Sequence, residues 1–475
     1  VGIVAISLMM VTGMPTMVRT RFSTPTIGRE WMIGQTGTAV EADEDWALVS
    51  PKDRAPIATV KARSLWIRLL TARIETGEPY IVYSDTVNSN VPEHQKLAGL
   101  TVKTSNLCSE ITLPTGLDHL GNDRTAVCCL SSLNVENFLE WKDHPTFIED
   151  VMRFLDNVLT DFIENAPDSF SKAKYSAMRE RSVGLGIMGF HSFLQDQMVP
   201  FESAVAKAWN KKMFKHIRAQ ADAASKTLAA ERGACEDAAD YGIDERFSNK
   251  MAIAPTASIS IICGGASPGI EPIAANSFTH KTLSGSFNVR SKALRKLLAE
   301  KGKDTDETWS SITTNEGSVQ HLDFLTQDEK DVFKTAFEID QRWVIDLAAD
   351  RAPEVCQSQS LNVFLPADVH KRDLHHIHFQ AWKKGVKSLY YCRSKSIQRA
   401  EVVANQGEPL VQVARYLDEA GLDFRYPLLD PRQQLLAASQ SPGLPTTLLF
   451  DAEGKLLERH VGELTLPLLD DWLAR

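Results

Sequence analysis

SNLCSEITLPTGLDHLGNDRTAVCCLSSLN, residues 105–134, is the stretch on which the architecture turns. Two apolar-rich runs, 105–114 and 124–134, flank TGLDHLGND, whose Gly, Asp and Asn favour turns. The segment therefore reads as strand, connection, strand. Successive side chains of a strand face opposite ways, which puts Asn106, Cys108 and Glu110 on one side. An unpaired carboxylate is costly in a core. On a reactive face the three suit chemistry: a thiol as nucleophile or radical site, a carboxylate as general base, an amide as a clamp for a hydroxyl. A half-exposed strand carrying an incidental cysteine is the other reading, and the pattern alone leaves both open.

Outward from this stretch, helical and strand-like segments alternate. Apolar residues recur at helical spacing over 57–76, and Gly77 and Pro79 stop the run. YIVYSDTV (80–87) reads as a strand. TFIEDVMRFLDNVLTDFIE (146–164) puts Phe147, Val151, Leu155, Val158 and Phe162 on one helix face. Helices are also expected at about 203–231, 328–350 and 371–384, and strands within 251–272 and over VKSLYYCRS (386–394). Alternation of this kind makes an α/β protein. The texture changes near residue 403, which divides the chain into 1–45, 46–402 and 403–475.

Bulk properties narrow the function. A net charge of −9 excludes a general nucleic-acid binder, which would carry a basic stripe. Seven cysteines without a CxxC point to a reducing compartment and to thiols used for chemistry or packing. His370, His375, His376 and His378 lack a matching Cys or carboxylate and read as a surface helix, so no metal is expected. The apolar run VGIVAISLMMVTG (1–13) is too short to span a membrane and reads as a buried strand or helix, with a targeting segment as the alternative. Gly184, Gly186 and Gly189 satisfy GxGxxG, but polar residues precede them and no acidic residue closes a βαβ unit. They read as close packing of a strand.

Six blocks then stand in order. They are TARIETGEPYIVYSDTVN (71–88), KTSNLCSEITLPTG (103–116), NDRTAVCCLSSLN (122–134), ERSVGLGIMGFHSFL (180–194), APTASISIICGG (254–265) with GIEP, and QSLNVFLPADV (359–369) with KSLYYCRSKS (387–396). Over about residues 41–402 the chain resembles the large subunit of class I ribonucleotide reductases. The resemblance implies part of that family's ten-stranded α/β barrel with its finger loop. It makes Cys108 the thiyl-radical cysteine, Glu110 the base for the ribose 3′-hydroxyl and Asn106 the amide that holds the substrate's hydroxyls. Cys128 becomes one member of the reducing dithiol, and Cys129 a packed neighbour facing the other way. Tyr390 and Tyr391 become a radical relay, with Tyr390 nearer Cys108, and Thr256, Ala257 and Ser258 a loop for the substrate diphosphate. The implied partners are a radical-generating, metal-containing small subunit, a ribonucleoside diphosphate, and thioredoxin or glutaredoxin as electron donor. A cytoplasmic homodimer with no cofactor of its own is expected, binding neither nucleic acid nor membrane.

Residues 403–475 resemble part of a thioredoxin-like domain, with Gly443–Leu444–Pro445–Thr446–Thr447 as its cis-proline loop and a hairpin after it. Residues 1–40 hold no cysteine, so no partner for Cys128 is visible and turnover is expected to be weak. Rival readings are a chain that binds nucleotide or partner without turnover, and a thioredoxin-like redox or binding protein.

Overall fold

The structure is a computed structural model that describes residues 4–10, 40, 44–50, 53, 55–282, 285–366, 368–395, 446–450 and 456–461. In chain order, the elements that frame the site begin with β1 (Val4–Met10), β2 (Asp45–Val49), β3 (Pro56–Lys61), α1 (Ala62–Thr76) and β4 (Ile81–Val82). Then come β5 (Val127–Asn134), α2 (Phe147–Asn165), α3 (Ser171–Glu180), β6 (Gly184–Met188) and α4 (Ala204–Arg232). The last are α5 (Gln341–Arg351), β7 (Val363–Pro366), α6 (Lys371–Lys383), β8 (Ser388–Leu389) and β9 (Cys392–Lys395).

β5 is the centre of the wall that carries the site. β1 pairs with it antiparallel on one side and β6 parallel on the other. Val4–Met10 of the N-terminal apolar run is thus a strand. Beyond β6 the parallel wall continues through single bridges, Leu185 to Met251 and Ile253 to Gln359. Tyr390 N–H then donates to the Leu361 carbonyl (2.8 Å), and β8 pairs antiparallel with β4. Every residue of β5 and β6 is buried, as expected of parallel strands covered on both faces.

Two apolar clusters meet at this wall. On one face Leu155 and Leu159 of α2 and Phe214 and Ile217 of α4 belong to the same large cluster as Leu185 and Ile187. On the other, Ile111, Leu113, Cys128, Leu130 and Ala252 form a smaller cluster. The two glycines of β6 are required by the spacing: a Cβ at Gly184 would lie 2.3 Å from Leu130 Cδ2, and one at Gly186 2.5 Å from the Ala252 carbonyl. The GxGxxG is therefore strand packing, as its surroundings indicated.

Several expected elements differ. Residues 105–114 are not a strand, because a turn closes at Asn106–Ser109 and Ser109 takes φ 69°. Residues 57–61 of the supposed helix at 57–76 belong to β3, which pairs with β2, and the helix starts at Ala62. YIVYSDTV keeps two strand residues and then turns helical over Ser84–Ser89. The helix expected over 328–350 is two, Gln327–Val332 and Gln341–Arg351, separated where the Ala336 amide donates to the Ile273 carbonyl. VKSLYYCRS loses regular pairing at Tyr390–Tyr391. The histidine helix is only partly a surface element: His370 and His376 are exposed, but His378 is buried and accepts from Arg73 Nε.

The chain divides into Val1–Lys395 and Ser396–Arg475. In the second unit Thr446–Phe450 and Leu456–Val461 pair antiparallel. The rest of the supposed thioredoxin-like tail, Gly443–Pro445 included, lies outside the described residues.

Candidate active site

Cys108 sits at the tip of a loop that its own residues tie off. Asn106 accepts from the Ile111 amide through Oδ1 (3.0 Å), and the Ser109 amide donates back to the Asn106 carbonyl (3.1 Å). The Ser358 amide donates to the Glu110 carbonyl (2.8 Å), fixing the loop to the wall. Asn106 and Glu110 are buried and Cys108 half-buried. The convergence expected from a strand is achieved by a turn, in which Asn106 also hydrogen-bonds the Glu110 carboxylate.

The Ser360 hydroxyl lies within reach of both the Cys108 carbonyl and Glu110 Oε2, the latter at 2.8 Å. It has one proton, so it donates to one of them at a time. Burial pushes the Glu110 carboxyl above its usual range, while the Ser360 hydrogen bond pulls it back. The Cys108 thiol is raised by burial and then by the Glu110 charge, so the neutral S–H form is favoured. A neutral thiol suits hydrogen-atom transfer better than nucleophilic attack, which needs a thiolate.

Tyr390 O–H donates to Cys108 Sγ at 3.7 Å. Its ring meets that of Tyr391 at a centroid distance of 4.4 Å. Tyr80 touches both, at 4.6 Å and 4.9 Å, and its hydroxyl donates to Glu78 Oε1 (3.1 Å). The line therefore runs from the thiol through Tyr390 to the half-buried Tyr391.

Cys128 and Cys129 face opposite sides of β5. Cys128 joins the small cluster behind the loop, where burial and then the charges of Glu110, Cys129 and Cys108 raise its thiol. Cys129 packs toward α2, its thiol directed at the Leu155 carbonyl (3.8 Å) and pushed up by burial to about 12.

The family described as ribonucleotide reductase, barrel domain, matches residues 31–241 and 236–392. The chain belongs to that family. It is 45% identical over 361 residues to the ribonucleoside-diphosphate reductase large subunit of Invertebrate iridescent virus 3, covering 75% of this chain and 56% of that protein. With the corresponding large chain of Cryptosporidium parvum it shares 32% identity over 472 residues, 87% of this chain and 57% of the other. Among solved structures, the class Id ribonucleotide reductase alpha subunit of Actinobacillus ureae is similar at a TM-score of 0.65 and 40% identity, over 71% of this chain and 62% of that one. The chain thus spans a little over half the length of these relatives, and its α/β fold is part of the reductase barrel.

Within that barrel the Thr256–Ser258 loop follows Ile253, whose carbonyl accepts from the Ser360 amide (2.8 Å). The segment leading into the loop thus runs beside Ser358 and Ser360, both of which hydrogen-bond Glu110. Thr256 takes φ 53°, unusual for a β-branched residue and typical of strained functional loops. Its Oγ1 accepts from the Gly269 amide (2.7 Å) and keeps its proton to give. Ala257 and Ser258 are exposed at the start of a one-turn helix that no side chain caps.

Sequence reasoning did not single out Ser360, Tyr80, Asn362 or Glu271. All four were inside quoted blocks, but only spatial proximity shows what they touch. Ser360 is 250 positions from Glu110.

Proposed function

We propose that this chain carries the radical chemistry of a ribonucleoside-diphosphate reductase large subunit, reducing ribonucleotides to deoxyribonucleotides. The observation that carries the reading is the Tyr390 hydroxyl on the Cys108 sulfur, with Glu110 held behind it by Ser360. Cys108, as a thiyl radical, takes the 3′-hydrogen of the ribose. Glu110 accepts the 3′-hydroxyl proton, and Asn106 steadies the sugar hydroxyls. Loss of the 2′-hydroxyl as water leaves a sugar that needs two electrons, to which Cys128 contributes one thiol. Tyr391 and Tyr390 pass the oxidising equivalent inward from a metal-containing small subunit, and the Thr256–Ser258 loop receives the diphosphate. Thioredoxin or glutaredoxin restores the thiols, and the working assembly is a cytoplasmic homodimer with its small subunit. The segment 403–475 is read as part of a thioredoxin-like domain.

The test is deoxynucleotide formation with a radical-bearing small subunit, a ribonucleoside diphosphate and excess dithiothreitol. Product that depends on Cys108, and disappears in Cys108→Ser, is the expected outcome. Product formed equally by Cys108→Ser would remove the thiyl reading. A yield of at most one deoxynucleotide per chain is expected, because each reduction takes two electrons, Cys128 supplies one thiol, and Cys129 beside it on β5 faces away. Multiple turnovers would show a second reducing thiol.

A further inference from the structure

Glu271 is a buried carboxyl that the radical chemistry above does not use. It is only 5% exposed, and burial holds it up at about 7, opposed by hydrogen bonding from Asn362 and by the charge of Arg393. Burying an acid without a full ion pair is costly, so its neighbours matter. Glu271 Oε1 accepts from the Asn362 amide (3.2 Å), and Asn362 Oδ1 in turn accepts from the Tyr391 amide (2.9 Å). This second bond falls where the chain between β8 and β9 has no regular pairing, so a side chain replaces a missing strand partner. On its other flank, the Arg393 guanidinium lies 4.7 Å from the centroid of the Tyr391 ring. Glu271 thus bears on the backbone of one tyrosine through Asn362. Its own turn is pinned as well: the Glu271 amide donates to the Pro268 carbonyl (3.2 Å), and the Gly269 amide to Thr256 Oγ1 (2.7 Å).

We propose that Glu271 is a positioning residue for the tyrosine pair, holding Tyr391 through Asn362. The proposal rests on the relay role given above to Tyr390 and Tyr391. Transfer between neighbouring phenols depends steeply on their separation, and a tyrosine at a break in a sheet needs outside support to keep it. Asn362 supplies that support to the main chain, and the Glu271 carboxyl keeps Asn362 in place.

The experiment places 3-fluorotyrosine at position 391 of the full chain and records its ¹⁹F resonance in the parent, Glu271→Gln, Glu271→Leu and Asn362→Ala. Circular dichroism checks that each variant keeps the parent fold. Glu271→Leu and Asn362→Ala are expected to shift and broaden the resonance. Glu271→Gln, which still accepts from the Asn362 amide, keeps a sharp line with a smaller shift. With natural Tyr391 and the radical-bearing small subunit, the first two variants lose single-turnover rate by on the order of 10²-fold, the scale of a misplaced reacting group. The ribonucleotide concentration that gives half the maximal rate stays unchanged. A resonance unmoved in folded Glu271→Leu and Asn362→Ala overturns the proposal; if Tyr391→Phe is also inactive, the relay stands without Glu271. A resonance that moves while Tyr391→Phe turns over normally overturns the relay, and the positioning role with it.

Discussion

Glu110 and Ser360 define the smallest unit of the site, and their single hydrogen bond fixes when the carboxyl can act as a base. Burial raises Glu110, and the Ser360 hydroxyl is the first of the groups that lower it. A base must be ionised, so activity should fall as pH drops through the Glu110 pKa. Removing the hydroxyl in Ser360→Ala takes away a bond to a charged group, worth about 1.5 kcal/mol or more. That moves the acidic limb of the kcat/KM profile upward by about one pH unit. A limb that stays put would mean that Glu110 is not the titrating base. The residue scale is also where the sequence was most informative. The types and spacing of Asn106, Cys108 and Glu110 already suggested thiol and base chemistry, although they converge through a turn and not a strand. Period-two reasoning could not see that turn, because the Asn106 side chain bonds its own loop and Ser109 adopts a left-handed backbone.

The elements hold this loop in place through close strand contacts and a buried charge cluster. Gly186 lets β6 approach the 251–253 segment, which carries the wall onward to Gln359. Gly186→Ala should cost about 1–3 kcal/mol, the usual price of overpacking, read as a lower denaturation midpoint. A midpoint equal to the parent's would show that the strands can part without penalty. Asp156 of α2 is buried against Arg181, Arg232 and Arg246 and so joins α2 to the end of α4 and to the approach to β6. Burial alone would raise its carboxyl, but the arginines hold it below the ordinary value. The stability it contributes is therefore present above the unfolded-state pKa and lost as pH falls toward the lower folded value. Asp156→Ala strands the arginines and should cost about 3–5 kcal/mol near neutral pH; a parent-like urea midpoint would contradict this. Helices such as α2, α4 and α6 were legible because a 3.6-residue apolar period extends over many turns. Short strands and the break at 333–340 were not, since bonds to distant carbonyls decide them.

At the scale of the whole molecule, the site depends on one of the two compact units. The apolar clusters span Val40 to Cys392, and the match to the reductase barrel ends at residue 392. β9 is fastened inside the same unit by pairing with β7 and by the Ser394 hydroxyl, which donates to the Ile74 carbonyl of α1 (2.8 Å). Sequence texture suggested a change near residue 403 because Pro, Gly and short hairpin patterns begin there, while the first unit ends at Lys395. Tertiary partners of Tyr390 and Tyr391 were beyond such reading, since Cys108 lies 282 positions away. A chain ending at Lys395 should therefore fold by itself. Its main thermal transition should coincide with that of the full chain, because among the described residues the apolar clusters of the first unit end at Cys392. Its Cys108 thiol should react with an alkylating probe at the parent's rate, because Tyr390, Glu110 and Ser360 all remain. A markedly lower transition, or a Cys108 that alkylates much faster, would show that residues 396–475 brace the barrel and not merely follow it.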